Sequence, residues 1–244
     1  MSNKIGWCDR TWSPITGCSP ISEGCANCWA KRFSKRLAGR YGYPADRPFR
    51  VTFHKDRLEE PLHWRKPQRV FVISMGDLFH KDVPDTAIAQ IFNAMVEPHT
   101  YLVLTKRPER MQEWFSHVGQ WSGFWTHDGP EWPRKNVYLG VSVENQQRTD
   151  ERIPILLQIP AAKRFISVEP MLAPVDLTKT LVESSIFADP KLDWCIAGPE
   201  TGPKARPCNK KWVADLYKQC RAAGVPFWDK TDILGKNIKE RPNG

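Results

Sequence analysis

The chain has 244 residues with a formal charge of +9 and a sequence pI near 9.3, a balance that points to a polyanionic partner such as nucleic acid rather than to a cationic one. No apolar run reaches the ~18 residues a membrane span needs, and Met1 to Trp12 lacks the apolar core of a secretory signal, so a cytoplasmic protein with no membrane contact is expected. Seven unevenly spaced cysteines do not suit a disulfide framework; in a reducing compartment, clustered thiols hold metal.

Thr11 to Thr16 is a short β-capable run broken by Pro14, and it leads into the densest cysteine cluster of the chain. Cys18, Cys25 and Cys28 fall within eleven residues, among Gly17, Pro20 and Gly24. Thiolates are soft ligands suited to iron-sulfur clusters or zinc, and the Cys-x-x-Cys pair sets two sulfurs on one tight turn. A [4Fe-4S] cluster on three thiolates keeps one iron open for a cofactor or substrate. A structural zinc site wants four closed ligands, for which Cys8 is the nearby fourth. Unligated core cysteines are the remaining reading.

Trp29 to Gly39 has a helical pattern with Phe33 and Leu37 on one face, while Lys31, Arg32, Lys35, Arg36 and Arg40 make the other face basic. Phe49 to His54 is a second strand candidate and Arg57 to Trp64 a short helix. From there six apolar runs read as buried strands: 69–75, 101–105, 137–143, 164–168, 192–197 and 225–228. Helix-compatible segments of crossover length separate them, at 85–97, 108–118, 145–158, 175–187 and 210–223. This alternation predicts one α/β domain over residues 1–244 with a parallel sheet, either a β/α barrel, partial or complete, or a doubly wound sheet. Ser116 to Arg134, with Trp121, Trp125 and Trp132, is a long irregular insertion whose aromatics either stack on bases or pack on the barrel rim.

The strands share polar endings: Asp77 after the first of the six, then Lys106 and Arg107, Ser142 and Glu144, Glu169, Glu200, and Asp229 with Lys230. In β/α barrels the site is built from the C-terminal ends of several strands, and Cys18 likewise follows the first strand of the chain. The recurrence therefore favours a barrel with the cysteine loop after its first strand.

These residues resemble the phage-protein type of radical S-adenosylmethionine (SAM) enzyme. The resemblance rests on Gly17-Cys18 with Gly24-Cys25-Ala26-Asn27-Cys28, Ser74 to His80, Leu104 to Pro108, Leu139 to Glu144, Ser167 to Pro170 and Gly202 to Pro207. It implies a barrel in which Cys18, Cys25 and Cys28 hold a [4Fe-4S] cluster whose open iron chelates SAM, with an external electron donor. A carboxylate at a strand end can pair with the SAM amino group, and Asp77, which follows a glycine that permits close approach, is the candidate for it; Ser142 and Glu144 are candidates for ribose and adenine contacts, which leaves Lys106, Arg107, Glu169 and Glu200 for the substrate. Six residues separate the first two cysteines where the commonest radical SAM pattern has three. Pro199 stands where many relatives have glycine, and the Phe227 to Lys230 run carries Asp229 as an extra acid.

The function implied is modification of a base in phage DNA hypermodification, within the host cytoplasm, as a means of evading host restriction. Related viral pathways suggest an isomerase that moves a glycyl link on the thymine methyl group from nitrogen to the α-carbon. Two other readings stay open: a radical SAM enzyme on a protein or small metabolite, and a non-catalytic nucleic-acid-binding module stabilised by zinc.

Overall fold

The computed structural model describes residues 5–118, 132–181 and 191–242. Its main sheet has seven parallel strands in the order β1 (Arg10–Trp12), β4 (Arg69–Val72), β5 (Thr100–Thr105), β6 (Val137–Val143), β7 (Lys163–Val168), β8 (Trp194–Ala197) and β9 (Phe227–Asp229). The order follows the chain without reversing. A doubly wound sheet reverses at a switch point, so the sequential order resolves the choice in favour of a curled, barrel-like sheet.

Pro14 ends β1, and the remainder of the predicted first run forms a separate element. Strand β2 (Ile15–Thr16) pairs antiparallel with β3 (Thr52–Phe53) as a small second sheet. The helices between the later strands are α2 (Asp85–Asn93), α3 (Pro108–Val118), α4 (Gln146–Gln158) and α5 (Lys210–Ala222). Asn145 caps α4 by accepting from the Arg148 amide at 3.0 Å, and Asn209 caps α5 through the Lys211 amide at 2.9 Å. The segment 175–187, expected to be helical, lies partly outside the described residues. Among those described, no helix is long and apolar enough to cross a membrane.

Alternation along the strands sorts two cores. Val70, Val72, Val103, Leu139, Val141, Val143, Ile166 and Val168 join the large cluster that includes Ile88, Ile91, Leu156, Val213 and Leu216 of the helices. Leu102, Tyr138, Phe165, Trp194, Ile196 and Trp228 form a second cluster on the concave face. Trp7 fills its centre, 4.7 Å between ring centroids from Phe71 of β4 and 6.3 Å from Trp194 of β8. One ring reaching both strands requires the sheet to curl around it.

The concave face also changes in size along the strands. Rings occupy it near the N-terminal ends, whereas Gly140, Ser142, Ser167 and Gly198 follow toward the C-terminal ends, with Ser142 in register with Ser167. Small residues above a floor of rings leave an opening. Gly140 is needed within the floor itself, because a Cβ there would stand 2.6 Å from the Phe165 ring.

Candidate functional site

The opening is a cavity of about 580 Å³. Its lining contains Cys18, Cys25 and Cys28 together with Asp77, Lys106, Arg107, Ser142, Glu169, Glu200 and Lys230, over an apolar floor that includes Trp7, Phe71 and Leu104. Nine of the ten candidate residues thus converge on one space. Glu144 is the tenth; it is wholly buried beneath the cysteine loop.

Two glycines bring the loop to the sheet. Gly17 has φ of +87° and donates to the Met75 carbonyl at 2.9 Å, and it bridges to Gly76 after β4. A Cβ on Gly17 would lie 2.2 Å from the Arg50 carbonyl, and one on Gly76 would lie 2.8 Å from the Gly17 carbonyl, so neither position accepts a side chain. Ile73, with φ of +61°, turns the chain from β4 toward them in a backbone region that β-branched residues seldom adopt. Cys18 and Asp77 become neighbours as a result.

Residues after four of the strands, and the start of α4, hold the loop along its length. Arg107, after β5, donates to the Cys18 sulfur at 3.4 Å, the Ser19 carbonyl at 2.8 Å and the Asp77 carboxylate at 2.8 Å. His80 Nδ1 accepts from the Asp82 amide at 3.1 Å, which makes Nε2 the protonated nitrogen that donates to Ser19 Oγ at 2.7 Å. Glu144, after β6, accepts from Ser22 at 2.9 Å, from Arg152 at 3.1 Å and from Lys106. Gly24 packs directly on Glu144, where a Cβ would come within 2.4 Å of its carboxylate. Glu23 is held by Arg148 of α4 at 3.0 Å and by Asn145. Glu200, after β8, accepts from Asn27 at 2.8 Å and from the Arg206 amide and guanidinium at 2.5 to 3.0 Å.

These contacts define the candidates' roles. Both Asp77 oxygens are taken by protein donors, Thr105 at 2.7 Å, the Phe79 and Lys106 amides, and Arg107. Direct contact between Asp77 and a bound molecule requires exchanging one of them. Glu144 reaches the cavity only through Lys106, which makes it a positioning residue. Glu169, after β7, pairs with Lys230, after β9, across the end of the intervening β8, and Ser142 donates to the Glu169 carbonyl at 3.1 Å. Asp229 faces away from the cavity and binds the amides of Ile233 and Leu234 at 3.1 and 2.9 Å, which accounts for the extra acid as a turn-former. Glu23, Asn27, His80, Arg148 and Arg206 were not among the expected site residues. Glu23 and Asn27 lie within the cysteine loop, and His80 and Arg206 lie in the stretches that carry the resemblance, whereas Arg148, in the first turn of α4, carried no signal.

The electrostatics follow from the pairing. Hydrogen bonds from Arg206 hold the Glu200 carboxyl at about 2, and those from Arg148 do the same for Glu23. Burial pushes the Cys18 thiol up to about 11, with Asp77 adding to the rise and Arg107 opposing it. Burial also raises Cys25, but backbone hydrogen bonds at Ile21 and Ser22 and the charge of Lys106 outweigh it and leave that thiol below its ordinary value.

Among the described residues, no group of three or more His, Cys, Asp or Glu is drawn together tightly enough to bind an ion. The donor set nonetheless fits a three-thiolate cluster: three half-buried thiols line one cavity beside two cations. The other four cysteines lie elsewhere. Cys8 is buried at the N-terminal end of β1, in the cluster around Trp7, while Cys195 and Cys220 belong to the core between sheet and helices. Cys208 is half-buried against that same core.

A parallel, sequentially ordered sheet with a polar, thiol-bearing cavity at its C-terminal edge defines the class of the molecule as an α/β barrel-like protein with a built pocket. The chain belongs to the family described as Protein of unknown function (DUF5131), which matches residues 2–238. No curated protein and no solved structure gives a significant match.

Proposed function

We propose that the chain is a radical SAM enzyme that modifies a base in phage DNA. The reading is carried by one observation, the convergence of Cys18, Cys25 and Cys28 with the polar strand ends on a single cavity. When bound, a [4Fe-4S] cluster with SAM supplies a 5′-deoxyadenosyl radical able to take hydrogen from an unactivated carbon, using an electron from an external donor. Cys18, Cys25 and Cys28 would hold the cluster. Asp77 and Ser142 line the cavity and would serve SAM, Asp77 on exchanging one of its protein donors, and the Glu144–Lys106 pair adds charge beside them. Arg107 fixes the Cys18 loop, while Glu169 with Lys230 and Glu200 face the substrate from the opposite strands. The ring-filled floor excludes water from below, which a reactive radical needs.

A closed four-thiolate zinc site fits less well, because Cys8 sits at the other end of β1 from Cys18. The charge of +9 supports a nucleic-acid substrate over a protein or metabolite. The resemblance to phage enzymes extends the proposal to a glycyl-modified thymine, whose link to the methyl group moves from nitrogen to the α-carbon.

The test is anaerobic reconstitution with iron and sulfide, followed by measurement of 5′-deoxyadenosine with SAM, a reductant, and either modified phage DNA or none. Deoxyadenosine release that rises with modified DNA is expected. Release that is insensitive to DNA would return the substrate to a protein or metabolite, and a colourless protein that binds zinc and not iron would overturn the radical chemistry.

A further inference from the structure

We infer that Trp29 and Phe33 form a base-stacking platform at the cavity rim, on which the single-stranded or locally opened DNA flanking the target base lies. The inference rests on the reading of the cavity as a base-modifying site and adds the surface that would present the base.

Helix α1 (Trp29–Ser34) leaves the cysteine loop directly after Cys28. It buries Ala30 and Ser34 and turns Trp29 and Phe33 outward, 44% and 42% exposed, with ring centroids 6.5 Å apart. The two are four residues apart and so share one helix face. Trp29 also lines the cavity, which makes the platform continuous with the site. Only five large hydrophobic residues are exposed among those described, and Ile21, 42% exposed on the cysteine loop that precedes α1, is a third of them. Leaving rings and an aliphatic side chain in water beside an open cavity has a cost that a partner would remove.

The partner's chemistry follows from the surrounding charge. Lys31, Lys35, Arg36 and Arg40 are exposed on α1 and the turn that follows, and among the described residues none of them is drawn into an ion pair. The nearby acids do not offset them, since Glu23 and Glu200 are neutralised by Arg148 and Arg206. Aromatic faces interleaved with unpaired cations suit a strand whose bases stack and whose phosphates are spaced along it. A target base must leave the duplex stack to enter a cavity of this kind, and a platform at the rim holds the opened strand while it does so. Trp132, the insertion tryptophan that the structure describes, does not offer this surface. It stacks on Phe115 at 4.5 Å and donates to the Pro160 carbonyl at 2.8 Å. Trp121 and Trp125 lie outside the described residues.

The experiment is a fluorescence-anisotropy titration of a labelled single-stranded DNA oligonucleotide with reconstituted full-length protein at several salt concentrations. Same-sequence RNA and polyglutamate serve as parallel probes. Trp29→Ala is expected to weaken DNA binding about five- to a hundredfold with an unchanged log-log salt slope, and Trp29→Phe to restore most of the affinity. Lys31→Glu with Lys35→Glu is expected to flatten the slope by about 1.4 units, the share of two phosphates on a single strand. Phe33→Ala, which does not line the cavity, carries the same test if Trp29→Ala does not fold. Wild-type affinity in folded Trp29→Ala and Phe33→Ala, or tighter binding of RNA or polyglutamate than of DNA, overturns the platform. Binding that depends on Trp29 while deoxyadenosine release ignores DNA supports the platform and sinks the base-modifying reading.

Discussion

Cys8 and Cys18 flank β1 from opposite ends, and that separation makes the ligand assignment testable one residue at a time. Substituting Cys18, Cys25 or Cys28 by Ala is expected to abolish iron binding and visible absorption. Cys8→Ala leaves iron content intact, at a modest packing cost, and iron quantitation after anaerobic reconstitution checks both. Glu200 invites a different measurement. Its carboxyl is depressed from 4.5 to about 2, so the folded protein binds its proton less readily than the unfolded chain does. The stabilisation is fully present above pH 4.5 and is lost as the pH falls toward 2. Glu200→Gln should flatten the acid limb of a plot of Tm against pH within that window, and an unaltered limb would show that Arg206 and Asn27 do not depend on the charge. Both residues sit in motifs visible in the sequence. What the sequence did not show is that Glu200 and Asp77 spend their oxygens on the protein, because hydrogen-bond partners are set by which loops meet.

The β/α alternation was legible because each strand has an apolar run of its own, and β6 and α3 have the bounds expected from the pattern. The first run was less so. Pro14 splits it between two sheets, and periodicity cannot tell which of two short strands joins the larger one. Helix α1 is shorter than the expected 29–39, since its last turn tightens into a 3-10 segment over Lys35–Leu37. Its Phe33 faces solvent although it was paired with Leu37 on the apolar face. The sheet's architecture also makes sharp demands on glycine. In β6 a methyl on Gly140 meets the Phe165 ring at 2.6 Å, in a floor with little room to give. Gly140→Ala is expected to destabilise the protein by about 1–3 kcal/mol, read as a lower urea midpoint at unchanged m.

At the scale of the whole molecule, two tryptophans, Trp7 and Trp29, do different jobs that depend on where the curled sheet places them. Trp7 lies under the cavity, 2% exposed and surrounded by Phe71, Phe165 and Trp194 from strands on both sides of the curl. Removing it leaves a void where the sheet converges, and its neighbours come from strands that cannot close together without tightening the curl of the whole sheet. Trp7→Ala should therefore cost about 3–5 kcal/mol. Trp29 is on the rim with much of its ring already in water, so Trp29→Ala should alter stability by about 0.5 kcal/mol or less. Urea denaturation of the two variants beside the parent protein separates floor from rim. Equal losses for both would mean that Trp29 is part of the packed structure, and a small loss for Trp7→Ala would mean that the sheet does not need a ring at its centre.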